Sequence, residues 1–129
     1  MNLELVLAAA VLAAGAGLSC AADDKVLTPI EARAKVSEKI TVEMTVQAAK
    51  DRLEARGEIY LDSETNFRDE KNFAVVITRA GAASLKRAGI DNPADHYRDK
   101  KIRATGTVKE VDHVLRIEIN DAQQLSIIP

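Results

Sequence analysis

Tryptophan is absent from the 129-residue sequence, cysteine occurs once, and the only aromatic residues are Tyr60, Phe67, Phe73 and Tyr97. With so few rings the core must be aliphatic, and stacking platforms for nucleobases are scarce. The single cysteine, Cys20, lies in an apolar N-terminal stretch, so the rest of the chain has no disulfide and no thiol ligand. Histidine is nearly as rare. His96 and His113 stand far apart, with no His-x-x-x-His or Glu-x-x-His spacing, which removes the usual basis for a zinc site. Neither sign of charge dominates: 18 basic residues face 20 acidic ones, for a net charge of -2. A chain this close to neutral has no global field to draw in nucleic acid, so any such binding must rest on a local patch.

The longest apolar stretch, Leu5 to Leu18, is shorter than the roughly 20 residues of an ordinary membrane span. It is followed by the small residues Ser19-Cys20-Ala21-Ala22 and then by Asp23-Asp24. That layout is the one of a secretory signal peptide over residues 1–22, although Met1-Asn2-Leu3-Glu4 contains no Lys or Arg. Removing the segment, with its Glu4, leaves about one net negative charge. Cys20, preceded by Ser19, adds a second expectation. As the first residue of a mature lipoprotein it would carry lipid and provide the chain's attachment to a membrane. The localisation these residues imply is export, to the periplasm or the medium.

Residues 23–29 form a polar lead-in closed by Pro29, and the domain is expected over 30–129. Ile40-Thr41-Val42-Glu43-Met44-Thr45-Val46 alternates with a period of two, as a half-buried strand does. Gln47 to Arg56 reads equally as a helical turn or as the extension of a hairpin. Glu58 to Asp62 is a second strand, with Ile59 and Leu61 inward and Tyr60 outward. Phe73 to Thr78, apolar on both faces, is a central third strand. Ala80 to Ala88 is helical in composition and stops at Gly89, and Asn92-Pro93 opens a short helical piece. From Ile102 to Val108, and again over Leu115, Ile117 and Ile119, the alternation returns. Asp112-His113 lies between the two runs as a hairpin turn. Strands surround a single helical region, so the expected class is all-β: a five-stranded Greek-key OB-fold barrel with one helix between strands three and four.

The segments Glu31 to Val36, Ile40 to Val46, Phe73 to Ile77, Lys100 to Val108 and Ile117 to Ile128 resemble those of small exported bacterial OB-fold domains. These are predicted nucleic-acid-binding relatives of the tRNA-anticodon-like barrels. Ser37 stands where that family has a turn glycine, Met44 and Lys100 replace two further glycines, Val111 takes a position often held by Tyr, and His113 replaces the hairpin glycine. The resemblance implies the fold, and by analogy a polymer ligand.

No residue constellation points to catalysis. Ser63, Ser84 and Ser126 lack a nucleophile motif or a base partner. Asp62, Glu64, Asp69 and Glu70 share one loop without the ordered spacing of a calcium site. The motifs of OB-barrel thermonucleases do not appear either. The expectation is therefore a non-enzymatic module without cofactor or metal. OB barrels hold oligonucleotides and oligosaccharides across strands two and three and the adjoining loops. On that face and its flanks the candidate ligand-binding residues are Tyr60, Lys50, Arg52, Arg56, Arg103, Thr105, Lys109 and Arg116. Single-stranded nucleic acid or an oligosaccharide is the expected partner. The alternative is a protein-interaction or envelope-stress module that engages another envelope protein.

Overall fold

Alternation of apolar and polar residues resolves into two sheets in the computed structural model, which describes residues 25–129. In chain order the first strands are β1 (Val26–Leu27), β2 (Lys39–Thr45), β3 (Ala48–Arg52), β4 (Glu58–Asp62) and β5 (Ala74–Thr78). They are followed by β6 (Lys101–Thr107), β7 (Lys109–Val111), β8 (Val114–Ile119) and β9 (Leu125–Ile127). The helices are α1 (Pro29–Arg33), α2 (Leu53–Arg56), α3 (Arg79–Arg87) and α4 (Pro93–Tyr97), with a 3₁₀ turn over Ala122–Gln124. One sheet has the order β1-β2-β6-β9 and the other β3-β4-β5-β8-β7. Val42, Met44, Ile102 and Ala104 from the first pack with Ile59, Leu61, Val75, Ile77, Ile117 and Ile119 from the second in one core. Phe73 and Tyr97 are the largest fully buried side chains, so half of the aromatic residues are spent on packing.

The expected all-β, five-stranded closed barrel is not what forms. The domain is mixed α/β, with four helices among the described residues and two sheets, neither of which closes on itself. The breaks come from main-chain bonds to segments remote in sequence. Val46 donates its N–H to Lys100 O and accepts from Asp99 N, both at 2.9 Å, so its main chain bonds to a loop and β2 ends. The chain resumes as β3 in the other sheet. Val108 does the same: its N–H donates to Glu38 O (3.0 Å) and its carbonyl accepts from Ser37 N (2.8 Å), separating β6 from β7. A strand whose backbone groups leave the ladder cannot continue the sheet it came from.

Other expectations change with this. The hairpin across Asp112-His113 is confined to β7 and β8, while β6 pairs antiparallel with β2 and β9. Between the third and fourth strands the fold expectation of one helix gives way to a pair, α3 and α4, at the two stretches read as helical, Ala80 to Ala88 and Asn92-Pro93. Gln47 to Arg56 contains both alternatives, β3 followed by α2. Within the stretch read as a lead-in, β1 pairs parallel with β2, and Thr28 and Glu31 form a reciprocal cap on α1. The signal peptide over 1–22 and lipidation at Cys20 lie outside the described residues, and the structure gives no support to a periplasmic or lipid-anchored protein. Among the described residues no helix is long and apolar enough to cross a membrane.

Where β6 passes β8 there is no ladder, and a side chain takes its place. Gln124 Nε2 donates to Thr105 O of β6 (2.9 Å) and to Glu118 O of β8 (3.0 Å). Its Oε1 accepts from Asn120 N (2.8 Å) and Asp121 N (3.0 Å). Gly106 permits the approach, since a Cβ there would lie 3.2 Å from Ile117 Cβ. One amide thus satisfies four backbone groups at the seam between the sheets. We expect Gln124→Ala to cost about 2–4 kcal/mol, the sum of several ordinary hydrogen bonds, whereas Gln123→Ala, at an exposed position, stays within about 0.5 kcal/mol. Urea denaturation of the two variants checks this, and equal stabilities would show that the seam holds without the amide.

Candidate functional site

The outward side of the five-stranded sheet is set by the same two-residue period that builds its core face. Lys50, Tyr60, Val76 and Glu118 lie in register across β3, β4, β5 and β8. Asp62, Ala74, Arg116 and Lys109 form the next row, and Arg52 and Glu58 the one on the other side. The centre of this face is a groove of about 700 Å³. One wall carries Lys50 and Arg52 from β3 and Arg56 from α2, and the opposite wall is the β7–β8 turn with Asp112 and His113. Asp112 and His113 have φ of 52° and 68°, the left-handed pair that a two-residue hairpin turn requires. Phe67 and Arg68, from the loop between β4 and β5, close one end.

That loop is not merely solvated. Asn72 Nδ2 donates to Asp62 Oδ1 (3.0 Å) and Phe67 O (3.2 Å), while its Oδ1 accepts from Glu64 N (3.0 Å). Ser63 Oγ accepts from Phe73 N at 2.9 Å. These bonds fold the loop back and hold Phe67 at the groove, 38% exposed. Lys50 Nζ and the Arg68 guanidinium lie 5.1 and 4.9 Å from the centre of its ring.

Arg116 forms the floor and is only 8% exposed. Its Nη2 donates to Glu58 Oε2 (2.9 Å) and Glu118 Oε2 (2.8 Å), and Lys109 Nζ reaches Glu118 at 3.2 Å. The Arg116 Nε–H is buried and has no acceptor. Tyr60 donates its hydroxyl to Glu58 Oε1 at 2.6 Å. Partial burial acts to raise the Glu58 carboxyl. The bonds from Tyr60 and Arg116, with the charges of Arg116 and Arg56, outweigh it and hold Glu58 below its ordinary range. Burial, and then the bond to Glu58, push the Tyr60 hydroxyl up. Burial likewise raises Asp62, which is 3% exposed, against the opposing effects of Asn72 and Lys50.

Of the residues singled out from the sequence, Lys50, Arg52, Arg56, Tyr60 and Arg116 come together in this groove. Lys109 shares the sheet but is turned to Glu118 outside the lining. Arg103 and Thr105 lie on the other sheet, where Arg103 pairs with Glu43 and Thr105 Oγ1 shares a 2.8 Å hydrogen bond with Thr41. Asp62, Phe67 and Arg68 were not anticipated. Asp62 has the same strand parity as Tyr60, so the alternation itself pointed to it. Phe67 is a lone aromatic in a run of polar and charged residues. Among the described residues no group of three His, Cys, Asp or Glu side chains is placed to hold a metal ion.

No protein-family profile matches the sequence, and no curated protein matches it. In three dimensions the chain is similar to part of a Leishmania major Friedlin protein assigned as an aspartyl-tRNA synthetase, at 8% identity and a TM-score of 0.53. It is also similar to part of the aspartyl-tRNA synthetase of Entamoeba histolytica, at 13% identity and a TM-score of 0.53. Each alignment covers 81% of this chain and 20% and 21%, respectively, of the synthetase. The chain therefore spans about a fifth of those proteins and distantly resembles one domain of them. At such identities the likeness is one of fold.

The raised Asp62 carboxyl has a consequence for stability. A carboxyl whose folded pKa exceeds its unfolded value favours folding below the unfolded value, and that contribution is lost as pH rises through the folded one. Asn, which does not titrate, escapes this loss and can still accept from Asn72. Asp62→Asn should therefore raise the melting temperature at pH 7, with the gain shrinking toward pH 3. A lower melting temperature at pH 7 would contradict the assignment.

Proposed function

We propose that this chain is a non-enzymatic binding module that holds single-stranded nucleic acid across the outer face of its five-stranded sheet. The observation that carries the reading is the charge of the groove. Five basic side chains (Lys50, Arg52, Arg56, Arg68 and Arg116) line it against three acidic ones (Glu58, Asp62 and Asp112), in a chain whose net charge is -2. A local basic patch is what a near-neutral protein needs to contact phosphates. Tyr60 and Phe67, the two aromatics not buried in the core, both line it. An aromatic surface beside a cationic wall suits bases stacked in the centre with the backbone along that rim. The OB-fold domains that the sequence resembles hold oligonucleotides across a strand face. The sequence resemblance to tRNA-anticodon-like domains and the fold likeness to part of two aspartyl-tRNA synthetases lend support in the same direction.

The reading assigns different physics to different side chains. Tyr60 and Phe67 stack, whereas Arg52 and Arg56, both exposed, contact phosphates. Anisotropy titration of the full chain with labelled oligothymidylate at low salt should show binding that weakens as salt rises. Tyr60→Ala should cost about 1–3 kcal/mol, while Tyr60→Phe, which keeps the ring, should cost far less. Arg52→Ala and Arg56→Ala should each flatten the salt dependence by about 0.7 for every phosphate that the arginine neutralised. Arg103→Ala, on the other sheet, should change nothing. Absence of oligonucleotide binding by the wild-type protein at low salt would overturn the proposal.

A further inference from the structure

Among the described residues the two sheets leave four strand edges, β1 and β9 on one and β3 and β7 on the other. An edge strand presents unpaired N–H and C=O groups to any extended chain, and soluble proteins guard it with charge, brevity or a cover. Three of these edges are guarded. β3 carries Lys50, Asp51 and Arg52, and Arg98 Nη2 donates to its Ala49 carbonyl at 3.0 Å. β7 carries Lys109 and Glu110 and runs on toward Asp112. β1 is two residues long, with Lys25 before it and the capped, Pro29-led α1 close behind. β9 is short but bare, since no charged residue occurs from Ala122 to Pro129.

The hydrogen-bond phase of β9 fixes which groups it offers. Ile128 N donates to Lys101 O at 2.8 Å, while Ile127 stands opposite Ile102. Bonded and non-bonded pairs alternate along an antiparallel ladder, so Ile127 turns its N–H and C=O away from β6. Among the described residues neither group bonds to another element. Leu125, which points the same way, has already given its N–H to Ala122 O. The outward edge therefore centres on one residue that offers both a donor and an acceptor. Its side chain is 37% exposed.

We infer that β9 is a dimerisation edge and that its partner is the β9 of a second copy of this chain. A donor and an acceptor on the same residue are what an isologous antiparallel pair uses. On a two-fold axis the Ile127 of each copy donates to the Ile127 carbonyl of the other. The two isoleucines then stand directly opposed and cover each other's apolar surface, and no like charges meet there. The two four-stranded sheets become one continuous sheet, and the groove, which lies on the other sheet, stays open. A contact built on two hydrogen bonds and one central pair of side chains is small, so the dimer forms in a concentration-dependent way.

Sedimentation velocity of the full chain should show monomer giving way to dimer as concentration rises. Because Ile127 opposes itself, Ile127→Lys and Ile127→Glu should each stay monomeric. An equimolar mixture of the two variants should recover the dimer, since the axis then sets opposite charges face to face. Amide exchange gives a second readout on the unaltered protein. The Ile127 N–H should exchange more slowly as concentration rises, whereas the Ile128 N–H, already bonded to Lys101, should be protected throughout. A wild-type chain that stays monomeric up to about 1 mM overturns the inference. So does a dimer that persists in Ile127→Lys, a mixture that fails to recover it, or an Ile127 amide whose exchange ignores concentration.

Discussion

The amide of Gln124 joins two sheets that no backbone ladder joins. Buried or half-buried main-chain groups must find partners, and at the seam between β6 and β8 Thr105 O and Glu118 O find theirs in one side chain. The same amide accepts from Asn120 and Asp121, so the 3₁₀ turn that carries it is tied to the end of β8. Asp121 completes this turn by accepting from Gln123 N at 2.8 Å. The five-stranded sheet thereby keeps a fixed relation to the four-stranded one at β8, the strand that also presents Arg116 to the groove. Positioning of the groove floor depends on that seam.

The groove concentrates charge that the whole chain does not have. Its inner residues are mutually constrained. Arg116 is shared by Glu58 and Glu118, and Glu58 is also held by Tyr60. A buried arginine without carboxylates would be strongly unfavourable, and a pair in good geometry offsets much of that desolvation. The outer residues Arg52 and Arg56 are exposed, and their side chains are open to an incoming anion. The site thus divides into a rigid floor, which suits discrimination, and an exposed basic rim, which suits encounter and salt-dependent affinity. On the opposite sheet the exposed basic residue Arg103 is matched to Glu43, and Thr41 is bonded to Thr105. Lys39 and Lys101 also stand exposed on that face, but its strands carry no aromatic side chain.

Much of this was legible in the chain. The two-residue period correctly placed the inward residues of β2, β4, β6 and β8, the apolar run of β5 marked it as central, and the period put Tyr60 and Arg116 on the outward side. The closed barrel was misread because the breaks depend on partners remote in sequence. Nothing in Val46 or Val108 themselves announces that their backbone groups bond to Lys100 and Asp99, or to Glu38 and Ser37. Phe67 was missed for a similar reason, since its position follows from the Asn72 amide rather than from any periodicity. Ser37 and His113, which stand where the resembled family has glycine, are instructive. Both adopt positive φ, 76° and 68°, so the turns persist without the residue that suits them best.

The placement of the ligand on one sheet and not the other can be read residue by residue. In backbone amide NMR of the full chain titrated with oligothymidylate at low salt, shifts should concentrate at Lys50–Asp62, at Phe67 and Arg68, and at Val111–Arg116. The amides of β2 and β9 should stay unmoved. Shifts centred on Thr41, Glu43, Arg103 and Thr105 would place binding on the four-stranded sheet and contradict the groove as the binding site.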